Sequence, residues 1–247
     1  MKRLIVTADD VGLHRGMTEG AIRAHRSGIV TACSISANGV EFDDAVARLR
    51  DVPSLEVGVH LTLVEERALT TGRPMPKNYV RFVFGRPRGI EPELRAQIEK
   101  VLATGLRVTH LNGHQHLHQL PRVFAIAQRL AGEYGIRYVR RVRDRGGVAG
   151  PARRAAVAVL GAMGRGTNDY TIGVLEAGHL RDIERLLPHV AGVTELVTHP
   201  GIAVNAYPHW NYEWDDETAA LCKHGLREAI AAHGIELIPP SAIAAGA

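Results

Sequence analysis

Cysteine is nearly absent, with only Cys33 and Cys222 in 247 residues. Two thiols that far apart exclude a disulfide framework and point to reduced cysteines, so the cytoplasm is the expected compartment. No stretch of about 20 apolar residues occurs, which excludes a transmembrane helix by hydropathy. The first residues, MKRLIV, run into Asp9-Asp10 before an apolar core of signal-peptide length can form. Aromatic residues are scarce at 5%, and no stacking series or known motif for nucleic acid accompanies the basic residues. The net charge of +4 is small. Its one local excess lies at Arg137, Arg140, Arg141, Arg143, Arg145, Arg153 and Arg154, which reads as a solvated rim or a contact for an anionic or lipid-linked substrate.

What is present is the composition of a folded globular chain, 45% hydrophobic and 23% charged. A length of 247 residues suits one barrel-sized domain covering 1–247. Short apolar runs alternate with segments of helical period, which predicts repeated βα units and a mainly parallel sheet. Eight strands are expected: Leu4 to Ala8, Val30 to Ala37, Glu56 to His60, Val108 to Asn112, Arg137 to Val139, Thr171 to Val174, Glu195 to Thr198 and Glu236 to Ile238. Met17, Ala21, Ile22 and Ala24 mark one amphipathic helix, and Cys222, Leu226, Ala229 and Ile230 another, with Asp215-Asp216-Glu217 as its N-terminal signal. Pro121 suits a first helical turn. Residues 69–89 and 143–166 break the alternation and are read as loop excursions over the barrel mouth. Within the second, Pro151 to Met163 forms a short helix that either packs on the barrel or lies on a membrane surface.

Acidic and imidazole groups gather at the predicted strand ends. Asp9 and Asp10 follow the first strand, His60 ends the third, His114, His116 and His118 follow the fourth, and His199 follows the seventh. In a β/α barrel these ends share one face. A carboxylate and two imidazoles there form an open catalytic metal site, with positions left for water and substrate. Each piece has a plainer reading: the Asp pair as a helix cap, His60 as core, the histidine run as a surface tract, His199 as a turn residue. Their joint placement favours the metal. Spacing does not choose among His114, His116 and His118, and His116, His118 and His179 compete with His199 for any acid role. Tyr207, His209, Trp210, Tyr212 and Trp214 form a dense aromatic run, a candidate substrate wall in which Trp210, Tyr212 and Trp214 are the main residues.

The segments LIVTADDVG, AHRSGIVT, VGVHLTL, THLNGHQHLH and VTHPG resemble, in order and spacing, the YdjC-like carbohydrate deacetylase family, which includes chitooligosaccharide and hopanoid-associated deacetylases. The resemblance implies a distorted, TIM-like β/α barrel of seven to eight strands, related to polysaccharide deacetylases. It further implies one divalent ion, Mg2+ or Zn2+, held by Asp10, His60 and His114, with Asp9 as general base and His199 as general acid. The implied reaction is hydrolysis of the N-acetyl group of an amino sugar, on an oligosaccharide or a glycolipid, releasing acetate. Two positions depart from the family habit: Val11 stands where Phe is usual, and Asn112-Gly113 where Asp-Ser is usual. Loss of that second carboxylate bears on how His114 is oriented. The alternatives are a metal-dependent phosphoesterase, with arginines gripping phosphate, and a non-catalytic sugar- or lipid-binding protein. A homodimer and a peripheral membrane contact are both compatible with the sequence.

Overall fold

The computed structural model describes residues 1–85, 87–145, 155, 158, 159 and 166–244. Eight parallel strands form one curled sheet: β1 (Lys2–Val11), β2 (Ala32–Ile35), β3 (Glu56–Leu61), β4 (Val108–Gly113), β5 (Tyr138–Val139), β6 (Tyr170–Ile172), β7 (Val193–Thr198) and β8 (Ile235–Leu237). Seven run in the order β5-β4-β3-β2-β1-β7-β6. β8 pairs with Lys2–Leu4 of β1, while β2 pairs with Thr7 to Val11. A parallel bridge between Asp144 and Thr171 and a bond from Thr167 N to the Val139 carbonyl draw the two ends of the sheet together. The result is the mainly parallel sheet that the βα alternation predicts, curled into the distorted barrel that the family resemblance implies, and every expected strand is found with shifts only at its ends.

Side-chain alternation sorts each strand into an outer and an inner face. On β1, Leu4, Val6 and Ala8 join the large core shared with the helices, whereas Ile5, Thr7 and Asp9 point inside. The interior is layered. Ile5, Tyr138, Val193 and Ile238 plug the bottom. Thr7, Glu195 and Arg140 form a polar layer above them, and Asp9, Ser34, His60 and Asn112 lie at the top. Gly58 sits two residues below His60, and its missing Cβ leaves room for the His110 ring, 2.4 Å from where that atom would be.

The helices are α1 (Arg15–Arg26), α2 (Phe42–Arg50), α3 (Tyr79–Gly85), α4 (Ile90–Leu102), α5 (Pro121–Glu133), α6 (Trp214–Leu221), α7 (Leu226–Ala232) and α8 (Ser241–Ala244). α1 buries Met17, Ala21 and Ala24 as its stripe predicts, and Pro121 opens α5. The C-terminal stripe differs from expectation. It belongs to two helices, because Gly225 at φ +80° breaks the chain after Cys222. Asp215, Asp216 and Glu217 form the first turn of α6, the earlier of the two. The excursion at 69–89 contains α3, and the proposed helix Pro151 to Met163 lies largely outside the described residues. No helix among the described residues is long and apolar enough to cross a membrane.

One close approach matters for the mouth. A Cβ on Gly20 of α1 would stand 2.5 Å from the backbone of Gly201, in the loop that carries His199. Gly20→Ala is expected to cost about 1–3 kcal/mol, the usual effect of overpacking against atoms that cannot yield. Denaturant unfolding reads this directly, and an unchanged midpoint would show that the loop is free to move.

Candidate metal centre and active site

Asp9 and Asp10 are neighbours in a strand, yet both reach the site. The register of β1 against β2 shifts between Ala8 and Val11, and Asp10 adopts φ +64°. This bulge turns Asp10 to the same cavity as Asp9, where a regular strand would send them to opposite faces.

Asp10 Oδ1 lies 2.9 Å from His114 Nδ1 and 3.1 Å from His60 Nε2, and the two nitrogens are 3.4 Å apart. Donors roughly 2.1 Å from a divalent ion stand about 3.0 Å apart in octahedral and about 3.4 Å apart in tetrahedral coordination. The three groups therefore fit such an ion, and no other cluster among the described residues does. The opposite edge of each ring is already committed. His60 Nδ1 donates to Asn112 Oδ1 at 2.7 Å, and His114 Nε2 donates to Glu65 Oε2 at 3.1 Å. Both partners leave the inward nitrogen's lone pair facing the centre. Burial opposes charge on His114, but Asp10 and Glu65 outweigh it and push the imidazole up to about 10. The site thus stabilises a cation at Nδ1, either a proton or a metal ion. Asp10 is held well below the usual carboxylate range, since His114 and His60 overcome the effect of burial.

Asn112 also donates to Asp9 Oδ1 at 2.9 Å. The Asn-for-Asp departure therefore acts on His60 and Asp9, not on His114, and it spares the site another carboxylate beside Asp9. His114 takes its carboxylate from Glu65, a residue the sequence did not single out.

Asp9 rests in a buried ion network. Arg140, with no exposed surface, donates to Asp9 Oδ2 at 2.5 Å and Oδ1 at 2.9 Å, and to Glu195 Oε1 at 2.8 Å. Glu195 also accepts from Thr7 Oγ1 at 2.6 Å and Tyr138 OH at 2.8 Å. Burial raises the Asp9 carboxyl, but the Arg140 charge wins and holds it far below its ordinary value. Arg140 is thus no part of a solvated rim. It is the counter-ion of the site.

The histidine run separates into three fates because Gln115 and His116 take left-handed backbone angles, φ +49° and +56°. His114 turns to the centre. His118 turns away and donates to the Arg140 carbonyl at 3.1 Å, with burial pushing it down to about 3. His116 lines the cavity, and burial with the nearby Arg140 keeps it neutral. His179 lies at the surface and pairs with Glu213.

His199 stands across the cavity, with Nε2 4.0 Å from Asp10 Oδ2 and Nδ1 without a hydrogen-bond partner among the described residues. Its backbone N donates to Glu217 Oε1 at 2.5 Å, which fixes the loop on α6. Burial lowers its pKa, partly offset by Asp10 and Asp9. Glu217 is fully buried, and that burial pushes it up to about 8 despite its backbone donors.

These groups surround a cavity of about 360 Å³ lined by Asp9, Asp10, His60, His114, His116 and His199, with Trp210 and Tyr212 on one wall. Trp210 stacks on Tyr207 at 4.4 Å and lies 5.1 Å from the His114 ring. Trp214 departs from expectation. It is buried against Leu13 and Met17, behind the wall, because α6 begins there and turns the indole into the core.

The family model described as YdjC-like protein matches residues 3–232. The chain belongs to the YdjC-like family. Within it, a carbohydrate deacetylase of Brevibacillus brevis is 31% identical over 212 residues, covering 80% of this chain and 81% of its own. A chitooligosaccharide deacetylase of Citrobacter koseri is 30% identical over 249 residues, covering 95% of this chain and 96% of its own. Among solved structures, a candidate cellobiose-phosphate cleavage protein of Enterococcus faecalis matches the YdjC-like chain with a TM-score of 0.75 at 21% identity, covering 98% of each. A family 4 carbohydrate esterase of Streptomyces lividans, solved with acetate, matches at TM-score 0.50 and 11% identity, covering 97% of this chain and 94% of its own. These two support the shared fold.

Proposed function

We propose that this YdjC-like chain is a metal-dependent hydrolase that removes the N-acetyl group from an amino sugar and releases acetate. The observation that carries the reading is the convergence of Asp10, His60 and His114 beside a sugar-sized cavity with an aromatic wall. Relatives named carbohydrate and chitooligosaccharide deacetylase fit the same chemistry. Two imidazoles and one carboxylate favour zinc over magnesium. A divalent ion held there supplies Lewis acidity toward the acetyl oxygen and lowers the pKa of a water in its shell.

The chain's own residues do the rest. Asp9, kept ionised by Arg140, takes the proton of the attacking water. His199 gives a proton to the departing nitrogen, and Trp210 and Tyr212 hold the sugar face. The phosphoester alternative is less favoured, because Arg140 is spent on Asp9 and Glu195 and, among the described residues, no arginine or lysine lines the cavity. The free thiols Cys33 and Cys222 suit a reducing compartment such as the cytoplasm.

A second reading rests on the lowered pKa of His199. A neutral imidazole could take the proton from water and pass it to nitrogen, with Asp9 as a fixed charge. Acetate release from N-acetylglucosamine oligomers tests the main reading: Asp9→Asn should lose at least about 100-fold while keeping its metal. Retained turnover sinks Asp9 as base. An aryl acetate, whose leaving group needs no proton, separates the two roles of His199. His199→Ala should keep most of its activity on that ester if His199 is only the acid, and lose it if His199 is the base.

A further inference from the structure

Glu65 belongs to neither the ligand set nor the proposed acid-base pair, yet four side chains converge on it. His114 Nε2 and Trp210 Nε1 donate to Oε2 at 3.1 and 3.0 Å, and Gln115 Nε2 and His209 Nε2 to Oε1 at 3.1 and 3.3 Å. A carboxylate offers about four acceptor sites, so its capacity is filled. The next residue repeats the pattern, with Tyr207 OH donating to Glu66 Oε1 at 2.8 Å. Both sides of this contact hold left-handed backbone: Glu65 at φ +69°, Gln115 and His116 on one side, Tyr207 and Asn211 at +54° and +53° on the other. Non-glycine residues keep such angles where surrounding contacts over-determine them, and such strain clusters at ligand clamps. The side chain of Glu65 is only 11% exposed.

We propose that Glu65 is the positioning residue that joins the metal ligand His114 to the cavity wall at Trp210, so that metal binding and ordering of the wall are one coupled event. One oxygen serves both the His114 ring edge and the indole. Any change at His114 that moves or polarises its outer N–H therefore reaches Trp210 through a single atom. Conversely, a wall pressed inward by a bound sugar holds Glu65 against His114 and keeps the inner nitrogen aimed at the metal. The coupling is reciprocal, as binding linkage requires. The inference rests on the deacetylase reading for what the wall holds, and on the hydrogen bonds alone for the link.

The chain has two tryptophans, so Trp214→Phe leaves Trp210 as the sole indole reporter. In that background, zinc added to chelator-stripped protein should shift the Trp210 emission, and calorimetry gives the zinc affinity. Glu65→Gly removes the carboxylate and suits a φ of +69°. It should weaken zinc binding about 10- to 100-fold, the usual effect of losing a carboxylate behind a ligating imidazole, and abolish the emission shift even at saturating zinc. Glu65→Gln, which keeps one oxygen and the side-chain volume, should fall between, and it carries the test alone if the glycine variant melts early. Zinc affinity within about twofold of the parent in either variant, an emission shift that persists at saturation in Glu65→Gly, or one of undiminished size in Glu65→Gln overturns the proposal. So does a parent whose Trp210 emission ignores zinc. Neither readout needs a sugar: a parent that shows the shift but releases no acetate sinks the deacetylase reading and leaves the link standing.

Discussion

Arg140→Met is expected to destabilise the chain by about 3–5 kcal/mol at neutral pH, the cost of removing one partner from a buried ion network. The reason lies in what remains. Asp9 and Glu195 both lose a fully buried guanidinium that donates three hydrogen bonds to them. Lysine would not repair this, because a point-charge ammonium cannot bridge two carboxylates as the planar fork does. The pH dependence carries the diagnostic sign. In the parent, Asp9 sits far below its unfolded value, so its contribution is fully present above pH about 4 and is lost as the pH falls further. In the variant, burial acts unopposed by Arg140 and the same carboxyl rises above its unfolded value. Its penalty is then largest at neutral pH and relaxes as acid neutralises it. The stability gap between parent and variant should narrow from pH 7 toward pH 4–5 in denaturant melts. A gap that stays constant over that range would mean that the arginine matters for packing and not for charge. Acetate release should vanish with the variant even where it is folded, since Asp9 would be neither aligned nor reliably ionised.

The network was only half legible in the sequence. Strand positions were readable because apolar runs and period-2 alternation are local properties, and Asp9, His60 and His199 were readable because they stand at strand ends. Arg140 also follows a strand, β5, but it was hidden among neighbouring arginines and read as surface. The signal that would have exposed it is Glu195, a charge within the fully buried strand Val193–Thr198. A buried parallel strand rarely carries an unpaired carboxylate, so Glu195 demands a buried cation. Glu65 left no such trace, since it lies in a loop whose path depends on α3 and the aromatic segment from Tyr207. Left-handed backbone at Gln115 and His116, which neither extended nor helical spacing anticipates, is what turns His114 of the three toward Asp10 and His60. The break at Gly225 was legible in principle, because Lys-His-Gly interrupts the stripe, but apolar periodicity on both sides masked it.

Asp10→Asn should lower acetate release by roughly 1,000-fold, the rate equivalent of about 4 kcal/mol of polarisation that a bound ion supplies. Asparagine is the informative replacement because it tolerates the left-handed backbone at φ +64°, keeping the bulge that aims both residues at the cavity. Alanine would confound loss of the ligand with collapse of that turn. The amide oxygen still reaches His60 Nε2 and His114 Nδ1, but without charge it no longer favours a cation between them. Zinc affinity should therefore fall along with turnover, and excess zinc should restore part of the rate. His116→Ala and His118→Ala serve as the contrast. The first removes a ring lining the cavity and the second a donor to the Arg140 carbonyl, and neither supplies an atom to the cluster of Asp10, His60 and His114. Both should keep full zinc occupancy by metal analysis, whereas His114→Ala should not. Zinc lost in His116→Ala and retained in His114→Ala would move the centre toward His116, which lines the same cavity, and overturn the ligand set.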